Sequence, residues 1–123
     1  MWVGLVGMDE KSFVSVDESG GAAVARVLCP SIGQRESPIV ESELSALGDR
    51  TGWRFAVDLS GVTVITSVGL GALISLQRSS ASAKGCVALF GLGKELRALM
   101  KLTKLEKMLT MSKDEASAIK KVR

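Results

Sequence analysis

Two adjacent hydroxyl residues, Thr66 and Ser67, stand at the end of a loop and are the residues best suited to chemistry. The apolar spacing after them predicts a helix, which places Ser67 at a helix N-terminus. There, free backbone N–H groups and the helix dipole favour an anion, and a hydroxyl can also cap the helix. Ser67 is therefore either a plain helix cap or a site where a phosphate could be added and read.

Most catalytic and metal chemistry is excluded by composition. The 123 residues contain no histidine, which removes Ser-His-Asp and Cys-His catalysis and every His-ligated metal site. Gly69 and Gly71 do not make a dinucleotide fingerprint, because Ile74 stands where the third glycine should be. No Walker A lysine follows Gly71 or Gly93. We therefore expect no enzyme, no metal site and no cofactor.

Asp58 is the one acidic residue in a predicted buried strand. It could be a ligand or a general base, but a strand-end carboxylate that accepts hydrogen bonds from nearby backbone N–H groups is more common. No partner base or metal ligand is visible in the sequence, so a structural role is favoured.

The net charge of +3 hides a basic C-terminal third, since residues 94–123 alone carry nine basic and four acidic side chains. Such a stretch could suit nucleic acid. However, acids are mixed with the bases, and no aromatic residue that could stack on a base lies beyond Phe90. A solvated helical surface is the favoured interpretation, and we expect no nucleic-acid partner.

The cellular location of the protein is predicted from its cysteines and from the length of its apolar stretches. Cys29 and Cys86 lie far apart in no paired motif, which indicates buried free thiols in a reducing compartment. No apolar stretch approaches the ~20 residues of a transmembrane helix, and residues 1–8 lack the basic start of a signal peptide. We expect a cytoplasmic protein with no membrane insertion.

The elements that must position Ser67 alternate between strands and helices. An N-terminal hairpin is predicted from two strands, Phe13 to Val16 and Ala22 to Cys29. The later elements are helix 37–48 capped by Gly48, strand 53–59, helix 67–83, strand 86–90, helix 94–102, a short strand or packed turn within 105–111, and helix 113–122 capped by Ser112. This order indicates an α/β fold with a mixed four- to five-stranded sheet and about four helices.

The chain is one domain by length, and we assign it to residues 13–123. Residues 1–12 form an apolar segment without a clear element. This segment could join two chains in a homodimer or cover the domain's own sheet.

Three stretches resemble the STAS domain (sulfate transporter and anti-sigma factor antagonist). They are VDLSGVTVITSVGLG at 57–71, AKGCVALF at 83–90 and LRALMKLTKL at 96–105. The resemblance is tight in 57–71, and over the remainder it rests on the order of the elements. It implies a STAS-like fold.

Members of the anti-sigma factor antagonist type bind a partner that is both an anti-sigma factor and a serine kinase of the histidine-kinase-like ATPase type. Phosphorylation at the helix start ends that complex. The resemblance implies partner binding through the surface of residues 60–75 and through neighbouring exposed turns such as 91–94. Gly69 and Gly71 would let a partner approach the helix start closely. The partner-binding residues so implied are Asp58, Thr63, Thr66, Ser67, Val68, Gly69, Leu70 and Gly71.

One departure from the family pattern bears on the phosphate acceptor. The pattern Asp-Ser-Ser/Thr-Gly-Leu-Gly stands here as Thr66-Ser67-Val68-Gly69-Leu70-Gly71, so Val68 replaces the second hydroxyl residue. Ser67 remains the candidate acceptor and Thr66 a weaker one. A helix cap at Ser67 stays equally open.

Two functions follow from the resemblance. The first is an antagonist switched by phosphorylation at Ser67. The second is an unphosphorylated interaction or scaffold subunit, for example of a lipid-transport complex, in which Val68 is an apolar anchor. A third function, a domain that senses a nucleotide or a lipid, has no support beyond the helix N-terminus.

Overall fold

A five-stranded mixed sheet forms the centre of the fold in the computed structural model, which describes residues 13–123. The predicted apolar segment at residues 1–12 lies outside the described residues. The strands are β1 (Val14–Ser19), β2 (Ala22–Val27), β4 (Arg54–Asp58), β6 (Cys86–Phe90) and β7 (Thr110–Met111), in that spatial order. β1 and β2 pair antiparallel as the predicted hairpin, and the other pairs are parallel. The predicted fold class is confirmed.

Two strands of two residues each form a second, separate ladder that the sequence did not predict. β3 (Ser31–Ile32) pairs in parallel with β5 (Val64–Ile65). β3 follows directly on the chain that leaves the hairpin, and β5 ends just before Ser67. The ladder therefore connects the segment before Ser67 to the segment that follows the hairpin.

Within residues 13–123, four helices cover the sheet, in agreement with the prediction: α1 (Ser37–Thr51), α2 (Ser67–Ser82), α3 (Lys94–Leu102) and α4 (Glu115–Val122). A short 3-10 helix, Leu105–Lys107, precedes β7. Successive side chains of β4 point to opposite faces of the sheet, so the core has two parts. Phe55 and Val57 pack in the cluster with α1, α2 and α3, whereas Ala56 packs with α4. The α2 face and the α4 face of the sheet are therefore distinct environments.

The caps at the end of α1 and at the start of α4 differ from the prediction. α1 continues past Gly48 to Thr51, and Gly52 caps it in the left-handed conformation, with φ 69°. Gly48 is instead a packing residue, since a Cβ there would lie 2.5 Å from the ring of Trp53. Ser112 does not cap α4; the cap is Asp114, whose carboxylate accepts a hydrogen bond from Ser117 N at 2.9 Å.

Both cysteines are free, Cys29 buried and Cys86 half-buried. Within residues 13–123 no helix combines the length and the apolar character that crossing a membrane requires.

Candidate functional site

The start of α2 is capped by Thr66 and not by Ser67. Thr66 has an extended backbone, with φ −82° and ψ 175°, and its Oγ1 accepts a hydrogen bond from Gly69 N at 3.3 Å. The same hydroxyl lies 3.3 Å from the carbonyl oxygen of Ile32 and donates to it. The interpretation of Ser67 as the cap is therefore wrong, because the residue with the non-helical backbone is the one before it.

Ser67 is the first residue of α2 and is exposed to solvent. Among residues 13–123 its hydroxyl has no hydrogen-bond partner, in contrast to that of Thr66. The first N–H groups of a helix have no intrahelical acceptor, and the side chain of Thr66 satisfies the one at Gly69. Ser67 therefore combines a free, reachable hydroxyl with a helix end that favours negative charge.

Gly69 and Gly71 have different roles. Gly69 is buried, and a Cβ on it would overlap the carbonyl oxygen of Ile32 and lie 2.9 Å from Ile65 Cγ2. The expectation that Gly69 lets a partner approach is therefore wrong, because the chain's own β3 already fills that space. Gly71 is exposed, with nothing within 4 Å of an added Cβ. Leu70 is half-buried against the core.

Five of the predicted residues form one exposed patch, which we call the helix-start surface: Thr63, Thr66, Ser67, Val68 and Gly71. Val68 is 49% exposed, and Val64 on β5, which the sequence analysis did not select, is 51% exposed. The alternation of exposed Val64 with buried Ile65 marks Val64 as outward-facing, but a strand of two residues is too short to show this in the sequence.

The loop before β5 meets the turn after β6, as predicted. Ser60, Val62 and Thr63 line a shallow cavity of about 300 Å³ together with residues 93–96. The surface at the start of α2 is therefore continuous with the surface at the start of α3.

Asp58 lies apart from this surface, on the α4 face of the sheet. Arg26, its neighbour across the β2–β4 pair, donates to Asp58 Oδ2 at 2.9 Å, and also to Asp17 at 2.7 Å and Glu115 at 3.1 Å. Asp58 Oδ1 accepts from Ser60 N at 2.8 Å, which confirms the predicted bond to a nearby backbone N–H. Only 13% of the Asp58 side chain is exposed, so its contacts are those of a structural carboxylate.

The electrostatics of this cluster follow from these contacts. Burial by itself raises the pKa of Asp58, but the hydrogen bonds from Ser60 and the ion pair with Arg26 outweigh it and lower the pKa below its usual value. The hydrogen bond to Asp17, followed by those to Glu115 and Asp58, raises the pKa of Arg26. Within residues 13–123 no group of three His, Cys, Asp or Glu side chains could hold a metal ion.

Comparison with known proteins matches residues 30–118 to the STAS domain. An anti-sigma factor antagonist from Mycobacterium paratuberculosis has a similar structure, at 24% identity and TM-score 0.77, over 93% of this chain and 97% of that one. The Bacillus cell fate determinant SpoIIAA in its phosphorylated form aligns at 15% identity and TM-score 0.62, over 89% of this chain and 99% of that one.

The murine anion transporter Slc26a9 aligns at 15% identity and TM-score 0.71, over 96% of this chain and 24% of that one. No curated protein sequence matches this chain. At these identities the structural likeness shows the fold. The family match spans more than half of the chain, and the protein belongs to the STAS domain family.

Proposed function

We propose that this protein is an anti-sigma factor antagonist that acts in the cytoplasm as a binding protein, not as an enzyme. It captures an anti-sigma factor that is also a serine kinase of the histidine-kinase-like ATPase type, and phosphorylation of Ser67 ends the complex. The observation that carries this proposal is the exposed hydroxyl of Ser67 in the first turn of α2, without a hydrogen-bond partner among residues 13–123 and beside the exposed Val68.

The effect of a phosphate on Ser67 follows from its charge. The group adds about −1.5 to −2 charges at neutral pH. In the free protein, water and the N-terminal end of α2 accommodate that charge. In a complex packed against Val64 and Val68, both about half exposed, the phosphate would have to lose its water next to apolar side chains. Modification therefore stabilises the free protein relative to the complex.

Ser67 is preferred over Thr66 as the acceptor for a structural reason. The Thr66 hydroxyl already bonds Gly69 N and the Ile32 carbonyl, so phosphorylation there would disrupt the cap. Phosphorylation of Ser67 disrupts no bond within residues 13–123. A phosphorylated form is known for the structurally similar SpoIIAA of Bacillus, which supports the same kind of control here.

A second candidate function is a fixed STAS interaction subunit, as in a lipid-transport complex, and Val68 favours it. An apolar side chain that is 49% exposed stands where the family pattern has a second hydroxyl, and Val64 is exposed to a similar degree on β5. In such a subunit the two valines anchor a partner permanently, and no phosphate is added.

The deciding experiment incubates the purified protein with a lysate of its source organism, ATP and Mg²⁺, and maps phosphate and bound proteins by mass spectrometry. The variants are Ser67→Ala, Ser67→Asp and, as matched control, Ser82→Ala at the exposed last residue of α2. We expect phosphate on Ser67 in the wild type and in the control, and none in Ser67→Ala. A histidine-kinase-like ATPase should bind the wild type and Ser67→Ala, and bind Ser67→Asp weakly.

Two results would contradict the switch. Equal capture of the ATPase by all variants, without phosphate, would indicate a fixed antagonist. Transporter subunits as the main bound proteins would support the interaction subunit instead.

A further inference from the structure

A second cavity lies between α3 and the chain that follows β7, and the proposed partner switch does not use it. Its volume is about 500 Å³, within the range of small-molecule sites. Four basic side chains line it: Lys94, Arg97, Lys101 and Lys113. Among the described residues that line it, none is acidic.

The convergence of the basic residues follows from helical geometry. Lys94, Arg97 and Lys101 are spaced i, i+3 and i+7 along α3, so they share one face, and Lys113, which follows β7 in the chain, lines the same cavity. In the described part of the chain these four cations form no ion pair. Like charges around one concave surface raise its positive potential and favour a bound anion.

The remainder of the lining suits an organic phosphate better than a bare ion. Leu92, Ala98 and Met111 contribute apolar surface to the same cavity. Ser112 also lines it, and its Oγ is buried without a hydrogen-bond partner among residues 13–123. Because the Ser112 hydroxyl is shielded from solvent, the donors that face a ligand in this cavity are those of the basic side chains. Arginine forks and lysine ammonium groups together form the usual donor set for phosphate.

We infer that this cavity binds a phosphorylated ligand, either a small molecule or a lipid headgroup. The phosphate groups bind the four cations, and the less polar part of the ligand packs on Ala98 and Met111. This inference does not depend on the partner switch. Lys94 also lines the cavity next to Thr63, whereas Arg97 and Lys101 line only the basic one, so these two residues separate the two functions.

The test uses two probes and a matched pair of double variants. Binding of inorganic triphosphate is measured by calorimetry, and binding to phosphatidylcholine vesicles with or without phosphatidic acid is measured by sedimentation. The cavity variant is Arg97→Gln with Lys101→Gln. The control variant is Arg78→Gln with Lys120→Gln, which removes the same charges at exposed positions outside this cavity.

We expect the cavity variant to bind about tenfold more weakly or worse, and the control variant to bind like the wild type. Triphosphate binding identifies a soluble ligand, and binding that requires phosphatidic acid identifies a headgroup. Binding of neither probe, or equal weakening in both double variants, would overturn the proposal, because the surface would then be a solvated charge cluster without a site.

Discussion

The guanidinium of Arg26 lies 2.9 Å from the carboxylate of Asp58, its direct neighbour across the parallel β2–β4 pair. The same guanidinium binds Asp17 on β1 and Glu115 in the first turn of α4. One side chain therefore connects three strands to the helix that covers this face of the sheet. Arg26 is 30% exposed, so solvent weakens each pair without removing its effect.

Replacing Arg26 should destabilise the fold. Arg26→Met leaves three carboxylates close together without their common partner, and we expect a loss of about 2 kcal/mol in the free energy of unfolding. Urea denaturation measures it. The control Arg78→Met, at an exposed position of α2, should change stability by less than about 0.5 kcal/mol. An equal loss of stability at both positions would show that the ion pairs of Arg26 do not stabilise the fold.

The low pKa of Asp58 predicts a pH dependence of stability. A carboxyl group whose pKa is lower in the folded than in the unfolded state stabilises the fold above its unfolded value, about 3.9, and this contribution disappears as the pH falls through the folded value. Asp58→Asn should therefore be less stable than the wild type from pH 7 to about pH 5, and the difference should shrink below about pH 4. Urea denaturation across this range checks it, and a constant difference down to pH 2 would contradict it.

Substitution by alanine should have opposite effects on stability at Gly69 and Gly71, the two glycines at the start of α2. Gly69→Ala places a methyl group against the Ile32 carbonyl, and backbone cannot move aside cheaply, so we expect a loss of about 2–3 kcal/mol. Gly71→Ala meets nothing within 4 Å and should gain up to about 1 kcal/mol through higher helix propensity. Thermal and urea denaturation of the two variants provide the comparison. Similar losses in both would show that the close contact with β3 is not the cause.

The cap assignment predicts a difference between two neighbouring hydroxyl residues. Thr66→Ala removes the acceptor of Gly69 N and should cost about 1 kcal/mol, whereas Thr66→Ser keeps the oxygen and should restore most of it. Ser67→Ala should change the free energy of unfolding by less than about 0.5 kcal/mol, since its hydroxyl caps nothing. If Ser67→Ala proved the more destabilising, the assignment of the cap would be reversed.

The long elements could be predicted from the sequence because their patterns are strong. Strand 86–90 and helix 94–102 have the predicted bounds, since apolar runs and helical spacing each extend over several residues there. β3 and β5 could not be predicted, because two residues show no period. The helix cap was misplaced by one residue, since Thr66 and Ser67 are both good caps and only the backbone dihedrals separate them.

The sequence predicted the part of the candidate site whose residues are close to each other both in the chain and in space, namely residues 63–71. Asp58 is the exception, although the sequence carried a signal: it alternates with Val57 and Leu59, which predicts the opposite face of the sheet. Its partner Arg26 is 32 positions away in the chain, and no local pattern links residues at such separation.

The small β3–β5 ladder has a consequence for recognition. Thr63 N and Val64 N both donate to the Pro30 carbonyl, at 2.8 and 3.2 Å, and Thr66 N donates to the Ile32 carbonyl at 3.1 Å. The backbone leading into Ser67 is therefore already ordered before any partner arrives, so association loses little conformational entropy there. Under the proposed function, the backbone before Ser67 is preformed for the partner, and a phosphate on Ser67 would change the charge of this surface without refolding it.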